Sequence, residues 1–234
     1  MNESDLFEVA IADIQSTYES GPWNLGWRFL YCSRKTLSPD TRYMLLGLNP
    51  GGEKFGVNAS VERGNAYRVE RDWSNDGEQL QHQVQALCRK VFSAFEEPRR
   101  FEKAFDATLT ANLVPFRSPT WDKLPAQDKA LEFSRQLWAD LLAEISPSVI
   151  ICLGRKPQKF LTQYLRKIGY DSSHSESIPT GWGDHEFDLV TLDGDGNCMT
   201  VAYVPHLSRF KLMGRKESER PTTAFANRLA ELSE

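Results

Sequence analysis

Tyr43-Met44-Leu45-Leu46-Gly47-Leu48-Asn49-Pro50-Gly51-Gly52 is continuous in apolar residues as far as Leu48 and is then stopped by Asn, Pro and two glycines. A run of this kind predicts a central parallel strand buried on both faces, because a half-wet strand would alternate. Residues 148–154 (SVIICLG) read the same way, and residues 106–116 (DATLTANLVPF) form a further strand cut off by Pro115. Helical periodicity separates these strands. Residues 3–18 place Leu6, Val9, Ala10, Ile14 and Tyr18 on one stripe, and 78–97, 125–145, 156–170 and 222–232 follow the same 3.6-residue pattern. Residues 185–192 and 198–205 read as a hairpin across the turn 193–197. Strands alternating with helices give an α/β fold: a three-layer α/β/α sandwich with a mostly parallel central sheet. No repeat and no low-complexity tract interrupts it, so residues 1–234 are expected to form one domain. The polar stretch 53–77 is expected to be a long loop or an insertion, and loops of that length are usually functional or mobile.

Composition narrows the class. The chain has 234 residues, 40% hydrophobic and 26% charged, with a formal net charge of −4. This is an ordinary globular balance, which excludes a polycationic tail protein but not a local basic patch that binds nucleic acid. No apolar run is long enough to span a bilayer, and MNESDLFEVA has neither a basic nor an apolar leader segment, so a cytoplasmic location and no membrane contact are expected. Cys32, Cys88, Cys152 and Cys198 form no Cys-x-x-Cys pair, and Cys88, Cys152 and Cys198 sit in apolar-looking stretches. Reduced, mostly buried thiols are expected, with no metal and no cofactor.

In such a sheet, ligands bind beyond the carboxyl ends of the strands. Four unusual motifs lie there. Gly47-Leu48-Asn49-Pro50-Gly51-Gly52 has phosphate-loop glycine spacing, but Glu53 stands where lysine is needed, so a nucleotide hydrolase is rejected. What remains is a tight turn, either purely structural or one that lets a ligand approach closely. Asn112 ends an apolar strand, where an amide without partners costs ~1–3 kcal/mol; it either faces a ligand or ties down a neighbouring loop. Gly154-Arg155-Lys156-Pro157 opens a helix and reads as an anion site or as a simple turn. Asp193-Gly194-Asp195-Gly196-Asn197 follows the outline of a calcium loop, but Cys198 and Val204 occupy its Gly and Glu positions, leaving a hairpin turn. Finally, Pro205-His206-Leu207-Ser208-Arg209-Phe210-Lys211 follows a strand and begins a basic stretch, net +3 from Arg209 to Arg220.

Taken in order, these motifs resemble the uracil-DNA glycosylase superfamily. GLNPG (47–51) is similar to the Gly-x-Asn-Pro-Gly motif of its mismatch-specific and single-strand-selective branches. Asn112-Leu113-Val114-Pro115-Phe116 resembles the Asn-x-x-Pro-Leu stretch of the single-strand-selective branch, ICLGR (151–155) its Gly-x-Gly-Arg turn, and His206-Leu207-Ser208 its His-Pro-Ser motif. Leu207 replaces the usual Pro, Asn49 stands where the most active uracil enzymes carry Asp, and the cysteine-ligated cluster of the thermophile branches is absent.

The resemblance implies a monofunctional DNA glycosylase that flips a uracil or modified base out of single- or double-stranded DNA and hydrolyses its N-glycosidic bond, acting as a monomer. Asn49 would orient the water and His206 would donate to the departing base. Asn112 would read the base edge, Phe55 would stack on the base, and Gly47, Leu48, Pro50 and Gly51 would line the pocket. Gly154, Arg155, Ser208, Arg209 and Lys211 would hold the DNA backbone, with Phe210 as the inserted wedge and Leu207 as the second candidate. Uracil is the default base; a hypermodified base of phage DNA, cleaved in defence, is the variant of that reading. A non-catalytic module that binds a modified base, and a hydrolase of small nucleosides, are the readings from other classes.

Overall fold

The computed structural model of the chain describes residues 3–70, 75–95, 101–194 and 196–233. Its main sheet has six strands in the order β4-β2-β5-β8-β7-β6: β4 Leu109–Asn112, β2 Tyr43–Gly47, β5 Val149–Leu153, β8 Asn197–Val204, β7 Glu186–Gly194 and β6 Asp171–Pro179. The pairs β4–β2, β2–β5 and β5–β8 are parallel, and β7 alone is antiparallel to its neighbours β8 and β6. The α/β sandwich expected from the alternating pattern is therefore present.

Strand alternation explains why the central runs lack polar residues. Met44, Leu46, Ile150 and Cys152 face one core with α1 (Glu3–Ser20), α5 (Gln127–Glu144) and α6 (Arg155–Lys167). Tyr43, Leu45, Val149 and Ile151 face the other, with α3 (Asn75–Ala94), α4 (Phe101–Asp106) and α7 (Lys216–Glu231). Every second side chain of a strand points to the same face, so two covered faces demand continuous apolarity. In α1 the buried stripe runs through Leu6, Phe7, Ala10 and Ile14, whereas Val9 is exposed.

The stretch 53–77 is not a featureless loop as far as Glu70. It contains β3 (Gly56–Asn58), which pairs in parallel with β1 (Gly26–Arg28), and α2 (Ala66–Val69). Asn65 caps α2 and is fully buried, its Oδ1 accepting from Tyr67 N at 3.1 Å and its Nδ2 donating to Thr110 Oγ1 at 2.7 Å. Arg28 grips Glu70 with both terminal nitrogens at 3.1 and 2.5 Å. Residues 71–74 lie outside the described part of the chain. Among the described residues, no helix is long and apolar enough to cross a membrane.

Candidate active site

The register aligns the tips of four parallel strands along one rim. Gly47 stands opposite Asn112, Leu46 opposite Cys152, and Leu153 opposite Val204. The strands that carry Asn112 and His206 are three strand spacings apart, about 14 Å at the backbone. Backbone bonds close the rim between neighbouring tips. Leu113 N donates to Gly47 O at 2.9 Å, Val114 N to Leu48 O at 2.9 Å, and Gly154 N to Val204 O at 2.9 Å. Gly154 makes that bond at a φ of 122°, a conformation that a side chain would strain.

Asn112 is buried, and among the described residues no hydrogen bond holds its amide. The amide lies over Gly47, where a Cβ would stand 2.1 Å from Asn112 Oδ1. Position 47 is thus glycine because the Asn112 side chain crosses it. The β4 tip is fixed from behind by Trp138 of α5, whose Nε1 donates to Leu113 O at 2.9 Å.

Asn49 is held through its nitrogen. Its Nδ2 donates to Ser118 Oγ at 2.9 Å and to Pro50 O at 3.2 Å, which turns Oδ1 away from these partners. Arg117, the residue before Ser118, spans three groups: its Nε donates to Gly56 O at 3.0 Å, and its terminal nitrogens to Gly51 O at 3.3 Å and Asn58 Oδ1 at 2.9 Å. The short segment between Gly51 and Gly56 is therefore tied at both ends, and it presents Phe55 with 67% of its surface exposed. Among the described residues no other large apolar side chain is as exposed.

His206 follows β8 directly. Its Nδ1 lies 2.7 Å from Ser208 Oγ, and when that hydroxyl donates, the ring's proton sits on Nε2. Burial, followed by the nearby Arg209 cation, lowers the His206 pKa below its ordinary value of 6.5, so the ring is neutral at physiological pH. Helix α3 braces the loop that follows: Gln79 Nε2 donates to Ser208 O at 3.2 Å, and Gln83 exchanges two bonds with the Met213 backbone at 2.9 and 2.8 Å. Arg209 and Lys211 are exposed.

A family model described as the uracil DNA glycosylase superfamily matches residues 34–230. The chain belongs to the uracil-DNA glycosylase superfamily. Members of this superfamily are generally DNA glycosylases that act on DNA, and the matched span holds all four rim motifs. No curated protein matches the chain.

Within this glycosylase-family rim, one expected wedge is corrected by its surroundings. Leu207 is fully buried in the α3/α7 core and cannot serve as a wedge, because apolar packing turns it inward. Ser208 is half-buried, its hydroxyl against His206 Nδ1. Phe210 is half-buried, its ring centroid 4.3 Å from that of His185 and 5.9 Å, edge-on, from that of Trp182. Arg155 is engaged as well, paired with Asp188 and stacked 3.7 Å above the Tyr203 ring.

Ser118, Arg117, Gln79, Gln83 and the Trp182–His185 turn escaped the sequence reading. Arg117 and Ser118 lie just past the 112–116 motif and act through contacts with the 49–58 segment, while the others reach the rim from α3 and from the turn before β7. A groove of about 660 Å³ between α3 and α7, lined by His82, Arg89, Lys90 and Asn227 among others, shares no residue with the rim. Its cations are already used, Arg89 over the Phe101 ring and Lys90 with Glu219.

Proposed function

We propose that this protein hydrolyses the N-glycosidic bond of a base flipped out of DNA, with the base held between Asn112 and Phe55. The observation that carries the reading is the Asn112 amide, which ends β4 on the rim and has no side-chain hydrogen bond to the described residues. Its donor and its acceptor are both left for a ligand. A base edge offers both groups.

In the reaction the C1′–N bond breaks and its electron pair leaves with the base. A water oxygen bonds to C1′ and releases a proton, so the products are an abasic sugar and the protonated free base. Asn49 accepts a hydrogen bond from that water through the Oδ1 left free by Ser118. As an amide it orients the water but is no strong base, so stabilising the leaving group must supply most of the rate. Neutral His206, with its proton on Nε2, donates to the developing oxyanion of the base, a contribution typically worth ~3–4 kcal/mol. Arg209 and Lys211 hold phosphates. Phe210 enters the stack once it leaves Trp182 and His185, offsetting the roughly few kcal/mol that unstacking costs.

The test is a panel of single- and double-stranded oligonucleotides, each carrying uracil, an altered base or a hypermodified phage base, followed by alkali to cut abasic sites. At least one base should give strand cuts, and Asn49→Ala should remove most of them while DNA binding persists. Binding without cuts across the panel would favour a non-catalytic module. Cleavage of free nucleosides without any need for Arg209 or Lys211 would favour a small-molecule hydrolase.

A further inference from the structure

We infer that Ser118 is a positioning residue for hydrolysis, which selects the face that the Asn49 amide turns to the reacting water. The inference rests on the reading of Asn49 as the group that orients water. An asparagine amide has two nearly isosteric ends, and only the oxygen end accepts a hydrogen from water. Something must therefore decide which end faces the substrate. Pro50 O, at 3.2 Å from Nδ2, also accepts from the nitrogen but at the long end of the ordinary range, and it is shared with Ser118 N.

Ser118 is suited to decide because its own roles are fixed. Its hydroxyl hydrogen goes to Thr120 O at 2.7 Å. Its single proton is then spent, so Oγ can only accept from Asn49, and the group 2.9 Å away must be the nitrogen. Its backbone N–H donates to Pro50 O at 3.1 Å, joining the segment after β4 to the loop after β2. Ser118 is 1% exposed, so water cannot replace the hydroxyl without a cavity opening around it. The chain spends a buried hydroxyl, 69 residues from Asn49, on the orientation of one amide.

The experiment is a double-mutant cycle of Ser118→Ala and Asn49→Ala, read as single-turnover cleavage and as DNA affinity on whichever oligonucleotide of the panel the wild type cuts fastest. Ser118→Ala should slow cleavage about tenfold, the factor that one net neutral hydrogen bond sets, with affinity unchanged. In the Asn49→Ala background the same change should cost nothing further, since there is no amide left to orient. Ser118→Cys, close in size but a poor acceptor, gives the same comparison if the alanine variant does not fold, and Ser118→Thr should restore the rate.

Additive losses, or equal losses of affinity and cleavage, would overturn the inference in favour of a structural role. Asn49→Ala slowing cleavage while Ser118→Ala and Ser118→Cys do not would overturn it and leave the reading of Asn49 standing. If Asn49→Ala cleaves normally, or the wild type cuts no base, the reading of Asn49 fails and the inference fails with it.

Discussion

Gly47→Ala is a minimal change that should act on the base-reading amide alone. Gly47 adopts no positive φ, so alanine meets no backbone strain there. The added Cβ would stand 2.1 Å from Asn112 Oδ1 and 3.3 Å from its Cγ, with the next atom, Ala111 O, at 3.9 Å. To reach an ordinary contact near 3.4 Å the Asn112 oxygen must retreat by roughly 1.3 Å, and a displacement of that order costs about 100-fold in rate, or ~2.7 kcal/mol of transition-state stabilisation. The assay is single-turnover cleavage by Gly47→Ala, Asn112→Ala and the double variant, with DNA affinity and thermal unfolding alongside. Gly47→Ala should lose most of its cleavage while its affinity for DNA changes little, because Arg209 and Lys211, the cations proposed to hold phosphates, lie beyond β8 and away from position 47. In the Asn112→Ala background the obstacle is gone, so Gly47→Ala should cost no further rate, a coupling equal to the whole ~2.7 kcal/mol. Normal cleavage by Gly47→Ala would refute the claim that the Asn112 amide is held over position 47 for use. Independent, additive losses would refute the claim that the two residues share one role.

Three further outcomes are expected. If His206 acts as a neutral donor, cleavage should stay level through neutrality and fall only as the pH drops below the ordinary histidine value of 6.5; Arg209→Gln, by removing a like charge, should move that acid limb upward, and a limb that moves down would contradict the assignment. Phe210→Ala should slow cleavage in paired DNA roughly tenfold more than in single strands, where the base is already unpaired, and equal slowing of both substrates would end the wedge reading. Cys32, Cys88 and Cys152 are buried and Cys198 is exposed, while burial pushes the Cys32 and Cys198 thiols alike up to about 11; access therefore decides, a thiol reagent at high pH should label native protein at Cys198 alone, and labelling at two or more sites would show that the cores open.

The rim was legible in the sequence because its strands obey a strong rule. Tyr43–Leu48 and Val149–Leu153 are apolar on both faces and end in Gly, Pro or Asn, a pattern that few other elements produce. Edge and short elements were not legible. The nine-residue strand β6, DSSHSESIP, has no apolar face since most of its residues are half-wet or exposed at the sheet edge. The three residues of β1 and the six of α4 are too short for a period to register. Local composition also misled where tertiary packing decided the outcome. Leu207 reads as a surface apolar residue among polar neighbours, yet the turn after β8 drives it into the core. Cys198 looks like part of an apolar strand but sits beside the β7–β8 turn, opposite Asp193, and is exposed. The same limit applied to the site. Asn49, Asn112 and His206 each stand at a strand tip and could be chosen by position, whereas Ser118 matters only through a contact made across 69 residues.

The central claim is that the protein breaks a glycosidic bond and does not merely bind an altered base. The most direct measurement is mass-spectrometric detection of both products from one reaction, the free base and the intact abasic strand, by wild type and by His206→Ala. The account predicts equal amounts of the two products from wild type on at least one base of the panel, and a loss of about 100-fold or more in their rate of formation by His206→Ala with unchanged DNA affinity. Tight binding of a modified strand with neither product formed, or full product formation by the His206 variant, would contradict it.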